Sequence, residues 1–199
     1  MKKFLLVLSY CTFMSPLLAN IGPQGFGEFC QNYFIETGTF GGDAIQLALD
    51  AGFKKVRSIE FDANLCKNAQ QRFSNNPNVK IYHGDSSINL SELIADIDEP
   101  VTFWLDAHIC PAREDGGKNC PLIEELEQIN QHPIKNHIIL IDDMHCCNTE
   151  LFDFMNQNDL ITKILEINPD YNIFYVDGGN DGEYKDNVMV AVPPTWKKN

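Results

Sequence analysis

Two short stretches bring acids and imidazoles together, Leu105-Asp106-Ala107-His108 and Ile141-Asp142-Asp143-Met144-His145. Each follows a near-continuous apolar run, VTFW and HIIL, so each reads as the end of a strand covered on both faces. If those strands are neighbours, Asp106, Asp142 and Asp143 converge. Clustered carboxylates repel one another unless a proton or a cation neutralises them, and hard oxygen ligands suit Mg²⁺ or another divalent cation. Such a cation lowers the pKa of a hydroxyl it holds, and a nearby carboxylate or imidazole can take the proton. Asp106, His108 and His145 are therefore the candidate catalytic groups, and Asp106, Asp142 and Asp143 the candidate metal ligands.

The same two loops also carry Cys110, Cys120, Cys146 and Cys147, among seven cysteines in all. Thiolate and imidazole ligands would favour zinc instead, although no C-x-x-C spacing is present. A disulfide from Cys110 to Cys120 would close the first loop in an oxidising compartment, and reduced thiols would remain inside the cell.

A second group of candidates opens the chain's organised part. Asn32 to Ile45, NYFIETGTFGGDAI, reads as a buried strand tipped by Glu36, a tight turn through Gly38, Gly41 and Gly42, and a helix from Asp43. Glycine lets a ligand approach the main chain, and the free N–H groups of a helix start favour negative charge. A plain strand-to-helix connection needing small residues is the alternative.

The elements that must position these residues follow from periodicity. Helices are expected at Asp43–Ala51, Asn64–Phe73, Asn89–Ile97 and Leu122–Asn130, and over most of 149–168. Strands are expected at Tyr33–Ile35, Val56–Phe61, Val79–Tyr82, 101–108, 137–143, Tyr171–Val176 and Asn187–Val192. The alternation predicts an α/β fold: a doubly wound, mostly parallel, seven-stranded Rossmann-like sheet with a C-terminal antiparallel hairpin. In such sheets ligands lie at the carboxyl ends of the strands, near the point where strand order reverses. Glu36, Glu60, Asp85, Asp106 and Asp142 all fall there.

At 199 residues, one domain over 20–199 is the simplest division. The formal charge of −13 argues against a nucleic-acid partner, which needs a basic surface to displace counterions. Residues 1–19 differ from the rest, with Lys2 and Lys3, an apolar run from Phe4 to Met14, Pro16 and Ala19. That is the layout of a signal peptide, too short and interrupted for a stable membrane span; a helix docked on the core is the other reading. The protein is then exported or periplasmic if the segment is cleaved, and cytoplasmic otherwise. Oligomeric state has no signature here.

The acid-tipped first strand with its glycine turn, the acid ending the second strand, Asp85 after the third and the terminal hairpin together resemble a class I S-adenosylmethionine-dependent methyltransferase, over roughly residues 30 to 194. IETGTFGG at 35–42 is similar to the opening signature of the macrocin O-methyltransferase-like group, which methylates sugar hydroxyls with help from a divalent metal. The resemblance implies S-adenosylmethionine as cofactor and a small-molecule acceptor. It further implies that Glu36, Gly38, Gly41 and nearby backbone hold the methionine part, that Glu60 accepts the ribose hydroxyls, and that Asp85 and Ser86 lie by the adenine. Phe40 stands where the signature usually has its third glycine. A nicotinamide-binding domain is the competitor, but GTFGG does not supply G-x-G-x-x-G and Glu36 precedes the turn. Because S-adenosylmethionine is made in the cytoplasm, an exported chain would act where the cofactor is supplied. Otherwise it would be a non-catalytic binding domain of this fold, or a hydrolase using the carboxylates with metal-bound water.

Overall fold

Glycine turns and capping residues cut the chain into short elements. In the computed structural model, which describes residues 21–179 and 184–198, the strands are β1 (Tyr33–Thr37), β2 (Lys55–Glu60), β3 (Val79–His83), β4 (Thr102–Leu105), β5 (Ile138–Ile141), β6 (Asn172–Gly178) and β7 (Tyr184–Val192). They form one sheet in the order β3-β2-β1-β4-β5-β7-β6. The first five strands pair in parallel, and β7 enters antiparallel between β5 and β6. This is the expected doubly wound sheet with its C-terminal hairpin. Its order reverses between β1 and β4.

Alternation along each strand feeds two cores. Phe34, Trp104, Leu140, Val188 and Val190 face α1 (Gly22–Glu28) and α2 (Asp43–Asp50). Ile35, Phe103, Leu105, Ile139, Ile141 and Met189 face α4 (Ser86–Ile94), α5 (Leu122–Gln131) and α6 (Gln157–Ile167). α3 (Ala63–Arg72) packs at the β2–β3 edge and is N-capped by Asp62, which accepts the N–H groups of Asn64 and Leu65.

Several element ends differ from expectation, those of β4, β5 and β7 among them, and in the helical parts the reasons are local. α4 starts at Ser86 rather than Asn89, because the Asp85 carboxylate caps it through Ser87 N–H. The stretch 149–168 is mostly helical, as expected, but in two pieces. After a 3₁₀ turn at Met144–Cys146, a second at Glu150–Phe152 ends in left-handed Asp153 and Phe154, and a capping box between Asn156 and Asp159 then starts α6. Helix α1 has no periodic signal in GPQGFGE; burial of Phe26 against Phe34 and Trp104 holds it. The proposed signal, residues 1–19, lies outside the described residues. Among the described residues no helix is long and apolar enough to cross a membrane.

Candidate functional site

Backbone pairing sets the acids side by side before any side chain is considered. Thr37 is in register with Ile59 of β2 and Leu105 of β4, and Leu105 with Ile141 of β5. Past the ends of the strands the ladder continues: Gly38 N–H donates to Ile59 O, Asp106 N–H to Thr37 O, Asp142 N–H to Leu105 O and Gly84 N–H to Glu60 O, all within 2.9–3.2 Å. Glu36, Glu60, Asp106 and Asp142 thus line one edge of the sheet around the reversal of strand order.

Glu36, Glu60 and Asp142 are buried, and Asp106 is half-buried beside them. Glu36 is 1 % exposed and Asp142 2 %. Among the described residues no lysine or arginine pairs with Glu36, Glu60, Asp85, Asp106, Asp142 or Asp143, whose ion-pair partners are only His108 and His145. Burial therefore pushes the Glu36 carboxyl up to about 8, against the opposing hydrogen bond from Ser58 Oγ. Asp106 is held well above the usual carboxylate range, first by burial and then by Asp142, Asp143 and Glu36. Asp142 is raised for the same reasons, burial first and Asp143 second. A buried acid without a counter-charge keeps its proton until a cation arrives.

Asp106, His108 and Asp143 present ligand atoms that all lie within 4.8 Å of one another. His108 sits between the two acids, Nδ1 at 3.6 Å from Asp106 Oδ1 and Nε2 at 3.5 Å from Asp143 Oδ2. Burial lowers its pKa, with Asp143 opposing the change. The third expected metal ligand, Asp142, is outside this trio. Its Oδ1 accepts the Asp143 N–H at 2.8 Å and its Oδ2 is buried with no hydrogen-bond partner. Asp143 adopts a left-handed φ of 56°, which reverses the chain after β5 and brings it, in place of Asp142, to His108. Two carboxylates and an imidazole form a donor set that suits Mn²⁺, Fe²⁺ or Zn²⁺ as well as Mg²⁺. Among the described residues no cysteine belongs to this group. The Cys110–Cys120 bridge does not form, and Cys120 is a buried thiol.

Around the glycine turn the structure gives each small residue a separate reason. Gly38 has φ +80°, and a Cβ there would lie 2.4 Å from the carbonyl oxygen of Asp106. Its lack of side chain lets the β1 and β4 loops touch. Gly41 has no such need, since nothing lies within 4 Å of the Cβ position. Phe40 takes a left-handed φ of 45° that glycine would adopt more readily, and its N–H is pinned by Glu60 Oε2 at 2.8 Å. Glu60 Oε1 accepts the N–H of Asp62, so this acid braces the turn besides facing the site. Asp85 caps α4, and Ser86 is buried with its carbonyl on Gln128.

Four residues at the site escape sequence reasoning. Asn187 on β7 is 3 % exposed and bridges Asp142, Asp143 and His145; the signal was a lone amide in the otherwise apolar NVMVAV. Glu125 on α5 is fully buried near the Thr37 and Ser86 hydroxyls, with no partner among the described residues in hydrogen-bond geometry with either carboxyl oxygen. Phe61 and Ile88 follow Glu60 and Asp85 closely in the chain and stay exposed, at 59 % and 69 %. Large apolar side chains kept on the surface beside polar site residues are candidates for ligand contact.

No family model matches the chain, and no curated protein matches it significantly. Solved structures do. Fibrillarin from Aeropyrum pernix, with bound S-adenosyl-L-methionine, aligns over 81 % of this chain and 66 % of its own, at TM-score 0.56 and 13 % identity. The O-methyltransferase from Bacillus cereus, in complex with SAH, aligns over 81 % and 74 %, at TM-score 0.53 and 15 % identity. The SAH-bound methyltransferase PaMTH1 from Podospora anserina aligns over 83 % and 72 %, at TM-score 0.52 and 14 % identity. This chain therefore has the fold of the class I S-adenosylmethionine-dependent methyltransferases.

Proposed function

We propose that this chain is an S-adenosylmethionine-dependent methyltransferase that methylates a hydroxyl of a small, sugar-like acceptor with help from a divalent cation. The observation that carries the reading is the row of buried and half-buried acids at the carboxyl ends of the strands, with no lysine or arginine partner among the described residues. S-adenosylmethionine brings a sulfonium and an ammonium, and positive charge at this edge would release the protons that Glu36 and Asp106 hold. The fold shared with proteins that hold the cofactor or its demethylated product supports the same ligand.

In this reading Glu36, Gly38 and the open space beside Gly41 receive the methionine part. Glu60 accepts the ribose hydroxyls with lone pairs left over from the Phe40 and Asp62 N–H groups. Asp85 and Ser86 lie by the adenine, with Phe61 and Ile88 offering apolar faces to it. Asp106, His108 and Asp143 would hold the cation, which supplies a lowered pKa to the acceptor hydroxyl. His145, or the Asp106 oxygen that is not on the cation, would take that proton, and His108 would do so only where it is not a ligand. The strongly negative chain favours a small acceptor over a nucleic acid.

Isothermal titration with S-adenosylmethionine, with and without Mg²⁺ or Mn²⁺, tests the proposal. Binding is expected, and Glu60→Ala should weaken it by about 2 kcal/mol, roughly 30-fold. Asp106→Asn should bind the cofactor and transfer no methyl group to a panel of hydroxylated acceptors. No binding heat from folded protein under any of these conditions refutes the reading.

A further inference from the structure

We propose that Asn187 is a positioning residue that locks His145 in its Nδ1-protonated tautomer, leaving Nε2 as the ring nitrogen able to accept a proton. The role rests on the methyl-transfer reading, while the tautomer follows from hydrogen bonds alone. Pairing of Ile141 with Met189 across β5 and β7 puts Asn187 opposite Asp143. The amide is buried, and every one of its hydrogen-bonding positions is used. Oδ1 receives the backbone N–H of His145 at 3.3 Å and His145 Nδ1 at 2.7 Å. Nδ2 reaches Asp142 Oδ1 at 3.4 Å and Asp143 Oδ1 at 3.2 Å.

The orientation of that amide is over-determined. A main-chain N–H can only donate, so the atom facing His145 N is the oxygen. Asp142 Oδ1 already accepts the Asp143 N–H, so the atom facing it is the NH₂ group. Flipping Asn187 would set donor against donor at one end and acceptor against acceptor at the other. With the oxygen placed, Nδ1 at 2.7 Å must carry hydrogen, and a neutral imidazole has only one. Nε2 is therefore bare.

Three further contacts surround the ring. Tyr184 stacks on it with centroids 6.0 Å apart and planes 18° from parallel. Cys146 Sγ lies 3.5 Å from Nε2. Burial pushes that thiol up to about 12, so it stays a weak S–H donor that an acceptor hydroxyl can displace. The Asp143 carboxylate, 3.6 Å from Nδ1, places the ring at the edge of the Asp106–His108–Asp143 trio.

Long-range ¹⁵N–¹H correlation spectra of the protein alone test the assignment, recorded near pH 8 where a free imidazole is neutral. The wild type should show His145 with a protonated-type Nδ1 and a bare-type Nε2. In folded Asn187→Ala the Nδ1–H form should lose its dominance. A wild-type His145 protonated at Nε2 overturns the proposal, as does an unchanged Nδ1–H pattern in folded Asn187→Ala. The wild-type spectrum decides by itself where Asn187→Ala is unfolded. Neither cofactor nor acceptor is present, so a protein that fails to bind S-adenosylmethionine would refute the functional reading and leave this result intact.

Discussion

Glu125→Gln isolates the cost of a buried carboxyl that no basic residue neutralises. Glu125 is fully buried on α5; the Ser86 and Thr37 hydroxyls lie near its carboxyl, but among the described residues none meets either oxygen in hydrogen-bond geometry. Burial lifts its pKa from 4.5 to about 7, with the Ser86 and Thr37 hydroxyls opposing the rise and Glu124 and Asp85 adding to it. The folded protein thus keeps a proton that the unfolded chain releases near pH 4.5. Stability is unaffected below that pH, falls as pH rises to about 7, and levels off above. The loss is about 3 kcal/mol when the rise is converted at ~1.4 kcal/mol per pH unit. Glutamine has nearly the same shape and never ionises. Urea unfolding of both proteins from pH 4.5 to 8 should show the variant gaining about 3 kcal/mol on the wild type across that range, with equal slopes. Glu36, Asp106 and Asp142 titrate in both proteins and largely cancel in the difference. A stability difference that does not change with pH refutes the reasoning.

Three other outcomes follow from the same structure. Gly38→Ala should cost about 3 kcal/mol, from a left-handed φ and a Cβ driven into the Asp106 carbonyl, read as a fall in the urea midpoint. His137 is buried, accepts Val101 N–H and contacts His132, and burial holds its pKa down near 3 from an ordinary 6.5. Because protonation favours the unfolded chain, its contribution is complete above pH 6.5 and declines by up to ~1.4 kcal/mol per pH unit below it. The stability gap between wild type and His137→Phe should therefore shrink steadily between pH 6.5 and 4.5. In native protein, a maleimide should label exposed Cys30 readily and leave Cys66, Cys120 and Cys146 unlabelled until urea is added, as mass spectrometry can count.

The parts of the site legible in the sequence were those that local pattern controls. Continuous apolar runs ending in acids announced β4 and β5, and the glycine turn announced the β1–α2 connection. Phe40 shows the limit of that legibility: a non-glycine residue holds the turn's left-handed conformation because Glu60, twenty residues on, grips its N–H. The break inside 149–168 is not legible, because Asp153 and Phe154 take left-handed conformations that neither residue type announces.

Taken alone, the sequence determined the fold class, the strand that carries each acid and the end of the sheet at which it lies, because periodicity and capping act over a few residues. Tertiary structure decided which of those acids meet. It set Asp143 in place of Asp142 beside His108 through one backbone reversal. It also delivered Asn187 from β7, 42 residues beyond His145. Glu125 came from a helix whose stripe read only as apolar. Sheet register and helix packing join residues far apart in the chain, and no local pattern records those distances.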